Sequence, residues 1–252
     1  MYNQTAQRSR KYLYAVVAGG LETSYDALGI NDSPVYSIPD RRVSAVVSDV
    51  SYERIRPERR YLAVHQRVLR RLMEETTPLP MSFGMIADGS NEIRKILSLN
   101  QEGFYEQLRR VEGKQEMGLR VVWDVENIFE FFVNVHPELR AARDRLREGQ
   151  RAPTQEDKIE LGRLFERTLD ADRETYARRV EEIFSRHCRE IKRNKCRNEH
   201  EVMNLACLVG RESGPEFEAI VLEAAKLFDN DFSFDYNGPW APHNFIDLNL
   251  KL

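Results

Sequence analysis

The sequence predicts an α+β protein of two small domains. Each is a ferredoxin-like sandwich of helices on one face of an antiparallel sheet, with a long helix in the second and a C-terminal strap. Three observations carry that reading. Strand and helix patterns follow one another in mixed order rather than in strict alternation. A chain of 252 residues sits near the size at which single cores stop growing. A polar, glycine-bearing patch, Glu112-Gly-Lys-Gln-Glu-Met-Gly118, separates two such sets of patterns. The domains are therefore set at 1–112 and 113–236, with 237–252 an extension packing back on the body.

In chain order, Tyr12–Ala18 reads as a strand with both faces covered, Tyr12, Tyr14 and Val16 on one face and Leu13, Ala15 and Val17 on the other. The stretch from Gly19 to Pro34 is rich in turn residues and reads as loop. Val35–Ile38 and Val43–Asp49 then suggest a hairpin turning at Pro39-Asp40. Pro57 suits the first turn of a helix over Glu58–Glu75, whose apolar face is Tyr61, His65, Val68 and Leu72. Pro78 and Pro80 end it, Met81–Ala87 is a strand candidate, and Ser90 caps a helical region through Glu112 that breaks near Gly103.

The second set opens on the β-forming run Leu119–Trp123, followed by a helix at Val125–Asn134, another after Pro137 and a turn at Gly149–Pro153. Thr154 caps the next helix, with Glu156 and Asp157 near its positive end. From Gln155 to about Asn198 the apolar stripe keeps a period near 3.6, through Leu161, Phe165, Leu169, Tyr176, Val180, Phe184, His187 and Ile191. A straight helix of that extent would reach about 65 Å, so a bend, a break near Asp170-Ala-Asp172 or a projecting arm is expected. Basic residues from Arg186 to Arg197 would suit its negative end. Glu201–Gly210 reads as a strand, Pro215 opens a helix to Phe228, and Phe232–Tyr236 and Phe245–Leu250 are short strand candidates.

Composition bounds function. With 41% hydrophobic and 31% charged residues the chain can form a packed core and carries a charged surface. The charge of residues 1–112 is 16 basic against 14 acidic, and of the remainder 22 against 27. Neither part has the basic excess that nucleic acid demands, and the glycine-aromatic motif of RNA-recognition sandwiches is missing. Cys188, Cys196 and Cys207 do not form a secreted disulfide pattern, which points to a reducing cytoplasm. The run after Arg8-Ser-Arg-Lys11 is short and interrupted by tyrosines, so it reads as a strand rather than a signal peptide, and no run is long enough to span a membrane.

No catalytic constellation emerges, and no cofactor or metal is expected. His187, Cys188, Cys196, His200 and Cys207 lack the paired spacing of a zinc site, and Asp229, Asp231 and Asp235 lack the glycine and distal glutamate of a calcium loop. Ala18-Gly-Gly20 has no phosphate-binding pattern. His65 is the best lone general-base candidate, and a small-molecule enzyme or ligand-binding protein using an interdomain cleft near it is the alternative reading. Its place on an apolar helix face favours a buried structural histidine.

The tail is the most distinctive segment: Phe234-Asp-Tyr-Asn-Gly-Pro-Trp-Ala-Pro-His-Asn-Phe245. Prolines on both sides of Trp240 make a stiff strap that presents large rings at low entropy cost. It either closes the protein's own core through Trp240 and Phe245 or offers Tyr236, Trp240 and Phe245 to a partner.

This tail resembles the C-terminal signature of the gas vesicle protein F/L family, an aromatic segment followed by Gly-Pro-Trp-x-Pro-x-Asn-Phe. Tyr12-Leu-Tyr-Ala-Val-Val17 is similar to the family's opening strand and Pro78-Leu-Pro-Met-Ser-Phe-Gly84 to its Pro-x-x-Phe-Gly element. The matches lie in the family's order across nearly the whole chain. Ser82 departs from the arginine of many members, and the F branch is favoured. The resemblance implies a non-enzymatic minor component of the cytoplasmic gas vesicle. Such a component would contact the hydrophobic major shell protein, and possibly other minor vesicle proteins, and would aid nucleation, limit aggregation and possibly stay on the gas-facing wall.

Overall fold

The computed structural model describes residues 9–148 and 152–251. They form two compact units: the described residues up to Glu116 together with those from Pro239, and Met117–Gly238.

In the first unit β1 (Arg10–Ala18) is central. It pairs antiparallel with β4 (Val43–Val50) on one side and with two short pieces, β5 (Leu79–Pro80) and β6 (Ile86–Ala87), on the other. β3 (Pro34–Asp40) and β2 (Ser24–Leu28) continue beyond β4, giving the order β2-β3-β4-β1-β5. Residues 11–17 are all buried, so β1 carries an unbroken apolar run after Lys11. The expected strict alternation fails at Tyr14. The register jumps between Leu13, opposite Val47, and Ala15, opposite Val46, leaving Tyr14 as the extra residue of a β-bulge. Tyr12, Tyr14, Ala15 and Val17 consequently share one core with Val68, Leu69 and Leu72. Val68, Leu69 and Leu72 come from α1 (Arg59–Met73), whose buried face also includes His65.

Two further helices follow, α2 (Ser90–Leu99) and α3 (Gln101–Val111). Gly89, not Ser90, is the cap of α2. The break falls at Asn100 rather than at Gly103, because the Asn100 side chain donates to the Ile96 carbonyl and competes with the helical ladder. The segment expected as loop contains β2, which is held by pairing with β3. The hairpin turns at Arg41 and Arg42, two residues later than Pro39-Asp40, with Arg41 at φ 55°. Met81–Ala87 is not one strand; only its last two residues pair with β1.

The second unit runs β7 (Lys114–Trp123), α4 (Ile128–Val135), α5 (Pro137–Glu148), α6 (Gln155–Phe184), β8 (Glu190–Arg193), β9 (Glu201–Gly210), α7 (Gly214–Ala225) and β10 (Phe232–Trp240). Its sheet order is β10-β7-β9-β8. Strand, helices, two strands, helix and strand in that order are the ferredoxin-like β-α-β-β-α-β arrangement. In the first unit β3, β4, β1 and β5 keep the same spatial order, with β2 in place of the first helix. Trp123, Phe132, Phe184, Phe217 and Leu205 lie in the second unit's core.

The long helix α6 has 30 residues, about 45 Å at 1.5 Å per residue. Thr154 and Asp157 form a reciprocal capping box at its start. It passes through Asp170-Ala-Asp172 without a break, since Asp170 pairs with Arg173 at 3.1 Å and Asp172 with His136 at 3.1 Å. It ends at Phe184, short of Asn198. Pairing of Glu190–Arg193 with Leu205–Leu208 overrides the local helical pattern, so Ile191 and the basic residues Lys192 and Arg193 are on β8. Arg193 reaches back to Glu174 and Glu181 on α6. Residues 149–151 of the expected turn, and 1–8 of the polar start, lie outside the described residues. Phe245–Leu250 is not a strand; a short 3-10 turn occupies His243–Phe245.

Candidate interaction site

The tail resolves into three parts. β10 is an edge strand of its sheet, and five consecutive residues, Asp235–Pro239, are exposed. Successive strand residues point to opposite faces, so neither face is covered along that run. Tyr236, 41% exposed, leans on Phe217 at 6.4 Å and donates its hydroxyl to Glu218 on α7, which raises its pKa. Leu222, one helical turn beyond Glu218, is also exposed. Together they give an apolar, partly aromatic surface beside an edge strand.

Gly238, near the end of this run, has φ 125°, a conformation that favours glycine. The last part is a strap that belongs to the first unit. Trp240 is half-buried, while Ala241 joins the core of Tyr12 and Tyr14. Phe245 is fully buried, and its carbonyl accepts from Arg110 at 3.1 Å. The buried Glu116 carboxylate accepts from Asn244 twice, from its backbone N–H at 2.8 Å and its side-chain amide at 2.7 Å. Farther on, Asn100 and the Lys251 backbone exchange two hydrogen bonds of 2.8 Å each.

Of the three aromatic residues offered as partner contacts, Tyr236 is on the surface and Trp240 is partly accessible. Phe245 is a correction: it is a core residue, and a ring without exposed surface cannot touch a partner. Sequence reasoning missed Glu116 and Asn100, whose polar side chains gave no signal until the strap came back to them. Asn244 lay within the quoted tail segment, and its carboxylate partner is 128 positions away.

His65 is 2% exposed. Tyr12 Oη accepts from the Gly84 N–H at 3.1 Å and is hydrogen-bonded to His65 Nδ1 at 2.9 Å. The rings of Tyr12, Tyr14 and Phe83 surround it at 5.6–5.9 Å between centroids. Burial lowers its pKa to about 4, with the nearby His243 adding to the effect and the Met81 backbone opposing it. Tyr14 Oη, in turn, accepts from the Ile30 N–H and meets Ser48 Oγ, each at 2.8 Å. A Cβ on Gly29 would come within 2.4 Å of that hydroxyl, so this close approach needs glycine. A histidine walled in this way is a buried member of the first unit's core.

Among the described residues no group of three or more His, Cys, Asp or Glu side chains is placed to hold a metal ion. His200 contacts the Trp123 carbonyl at 3.2 Å, and Cys196 lies 3.8 Å from the Val202 carbonyl, on no shared helix. A groove of about 480 Å³ lies between α5 and α6, where Leu146, Leu161 and Leu164 mix with Arg145, Arg163, Asp157 and Glu160. No helix among the described residues is long and apolar enough to cross a membrane.

These features define a two-unit α+β protein whose C-terminal strap packs into the first unit and whose second sheet ends in an exposed edge strand. The family model of the gas vesicle synthesis protein GvpL/GvpF matches residues 10–247, and the chain belongs to that family. Gas vesicle protein F of Dolichospermum flosaquae is 25% identical, over 94% of this chain and 97% of the relative. That of Haloferax mediterranei is 26% identical, over 86% and 83%. Gas vesicle protein L1 of Halobacterium salinarum is 30% identical over 54% of this chain and 51% of its own length. The crystal structure of GvpF from Anabaena sp. PCC7120 superimposes with a TM-score of 0.82 at 22% identity, covering 96% of this chain and 99% of that one. GvpF from Microcystis aeruginosa gives 0.80 at 24% identity, over 95% and 100%. Family membership ties the chain to gas vesicles and to the other proteins of that structure, as the tail signature implied.

Proposed function

We propose that this protein binds the hydrophobic major shell protein of the gas vesicle in the cytoplasm and assists nucleation of the shell, limiting aggregation of that subunit before assembly. The contact surface is the exposed run of β10 with Tyr236, and Trp240 is a second contact on the strap. The observation that carries the reading is that uncovered edge strand in a chain of the gas vesicle family. An edge strand offers unpaired backbone groups to another strand, and an adjoining aromatic ring adds apolar area. A shell subunit with an exposed apolar face needs such cover to stay soluble.

The test is sedimentation of purified shell subunit with and without this protein. The subunit stays in the supernatant longer when the wild type is present, and Tyr236→Asp loses that protection while keeping its melting temperature. A pull-down that recovers no shell subunit with the wild type overturns the reading. Retention on the gas-facing wall is the further expectation; removal of the protein from intact vesicles by urea washing counts against it, and other minor vesicle proteins are then the better candidates for its partners.

A further inference from the structure

Two of the three cysteines meet inside the second unit. Cys188 lies in the turn between α6 and β8, with its backbone N–H on the Phe184 carbonyl at 2.8 Å, and Cys207 is on β9. The next residue, Arg189, donates to the Leu208 carbonyl at 2.8 Å, and Ile191 stands opposite Cys207 in the β8–β9 register. The two side chains are hydrogen-bonded to each other within one core, which lowers the pKa of Cys188. Cys207 is fully buried and Cys188 keeps 8% of its surface, so Cys188 is the more accessible of the pair. Cys196 lies beyond β8 against Val202, and burial raises its pKa.

We propose that Cys188 and Cys207 are an oxidation site, closing to an intramolecular disulfide by exchange with a low-molecular-weight disulfide such as oxidised glutathione. Brief opening of the turn over residues 185–189, which is neither helix nor strand, exposes Cys188. Its thiolate attacks one glutathione sulfur, forming a mixed disulfide and releasing one glutathione thiolate. The Cys207 thiolate then attacks the Cys188 sulfur and releases the second. The two protein thiol protons end on two glutathione thiols, and the two electrons lost by the protein pair reduce the glutathione disulfide. Closure brings the two sulfurs to the S–S length of about 2.05 Å. The bond would tie the end of α6 to the middle of β9.

The experiment equilibrates the full-length protein in glutathione buffers from reducing to oxidising, quenches it in acid, alkylates it under denaturing conditions and maps the peptides by mass spectrometry. The expected result is loss of label from Cys188 and Cys207 together, with a cross-linked peptide pair two hydrogens lighter, while Cys196 stays labelled. Cys196→Ser gives the same cross-link and Cys188→Ala abolishes it. The proposal is overturned if Cys188 and Cys207 both remain alkylated at every ratio, or if the bond that forms includes Cys196. Because the wild-type chain supplies the primary readout, a variant that folds poorly does not decide the outcome.

Discussion

Acidification from about pH 7.5 to about pH 4.5 is expected to destabilise the first unit through His65. The imidazole titrates at about 4 when folded against 6.5 for the free side chain, because a ring that is 2% exposed cannot hydrate its charged form. Between those values the unfolded chain binds more protons than the folded one, so stability is complete above pH 6.5 and declines as pH falls toward 4. The full shift corresponds to about 3.4 kcal/mol, and about 2.5 kcal/mol of it is gone at pH 4.5. His243 sits close enough to add a like charge once protonated. The assay is urea unfolding at the two pH values, followed by circular dichroism, for the wild type and for His65→Gln. Carboxylates titrate in both proteins and cancel in the comparison, so the variant has the lower stability at neutral pH and the flatter dependence on acid. Equal pH slopes in the two proteins would refute the assignment of a buried neutral histidine.

The strap yields a paired prediction: Phe245→Ala costs about 3–5 kcal/mol, as for other fully buried phenylalanines, whereas Trp240→Ala costs less because its ring keeps solvent contact. Denaturant midpoints measured side by side check the ranking, and a costlier Trp240→Ala would reverse the account of which ring closes the core. Glu116→Ala removes the acceptor of both Asn244 bonds and is expected to cost about 2 kcal/mol. Hydrogen exchange should then accelerate first at residues 243–251. Arg173→Ala breaks guanidinium bonds to the Glu201 and Asn198 carbonyls, at 2.9 and 2.8 Å, and lowers the urea midpoint of the second unit by the equivalent of about 2 kcal/mol. Thr154→Ala removes the reciprocal cap of α6 for about 1 kcal/mol, read as a lower melting temperature.

Much of the fold was legible because periodicity and turn chemistry are local. The apolar run of β1, the buried face of α1 with His65, and the cap of α6 all follow from residues within a few positions of one another. The misses share a different origin. Ile191 continued a helical stripe, yet it stands opposite Cys207 on β9, a partner that no local window contains. Val17 was placed on the wrong face of β1 because a bulge at Tyr14 shifts every later residue by one, and that bulge is set by the pairing with β4. Asn100 was passed over for Gly103, although the amide that ends α2 also binds Lys251 from the far end of the chain. In each case a long-range partner decided between two locally acceptable conformations.

The same distinction separates the roles within the tail. Gly238 supplies a positive φ, and Pro239 lacks the N–H that an exposed edge would otherwise offer. Ala241 fits a buried position beside the Tyr12 and Tyr14 core, Asn244 answers the Glu116 carboxylate, and Phe245 fills the first unit. Each of those residues has a task that the fold itself requires, and their spacing is therefore set by the strap's path rather than by a ligand. Trp240 and Tyr236 are different: both are large aromatic residues that are not fully buried. Under the proposed function, these two are the residues of the tail that meet the partner. On that proposal, mutations divide the tail into residues that change stability and residues that change binding to the shell subunit.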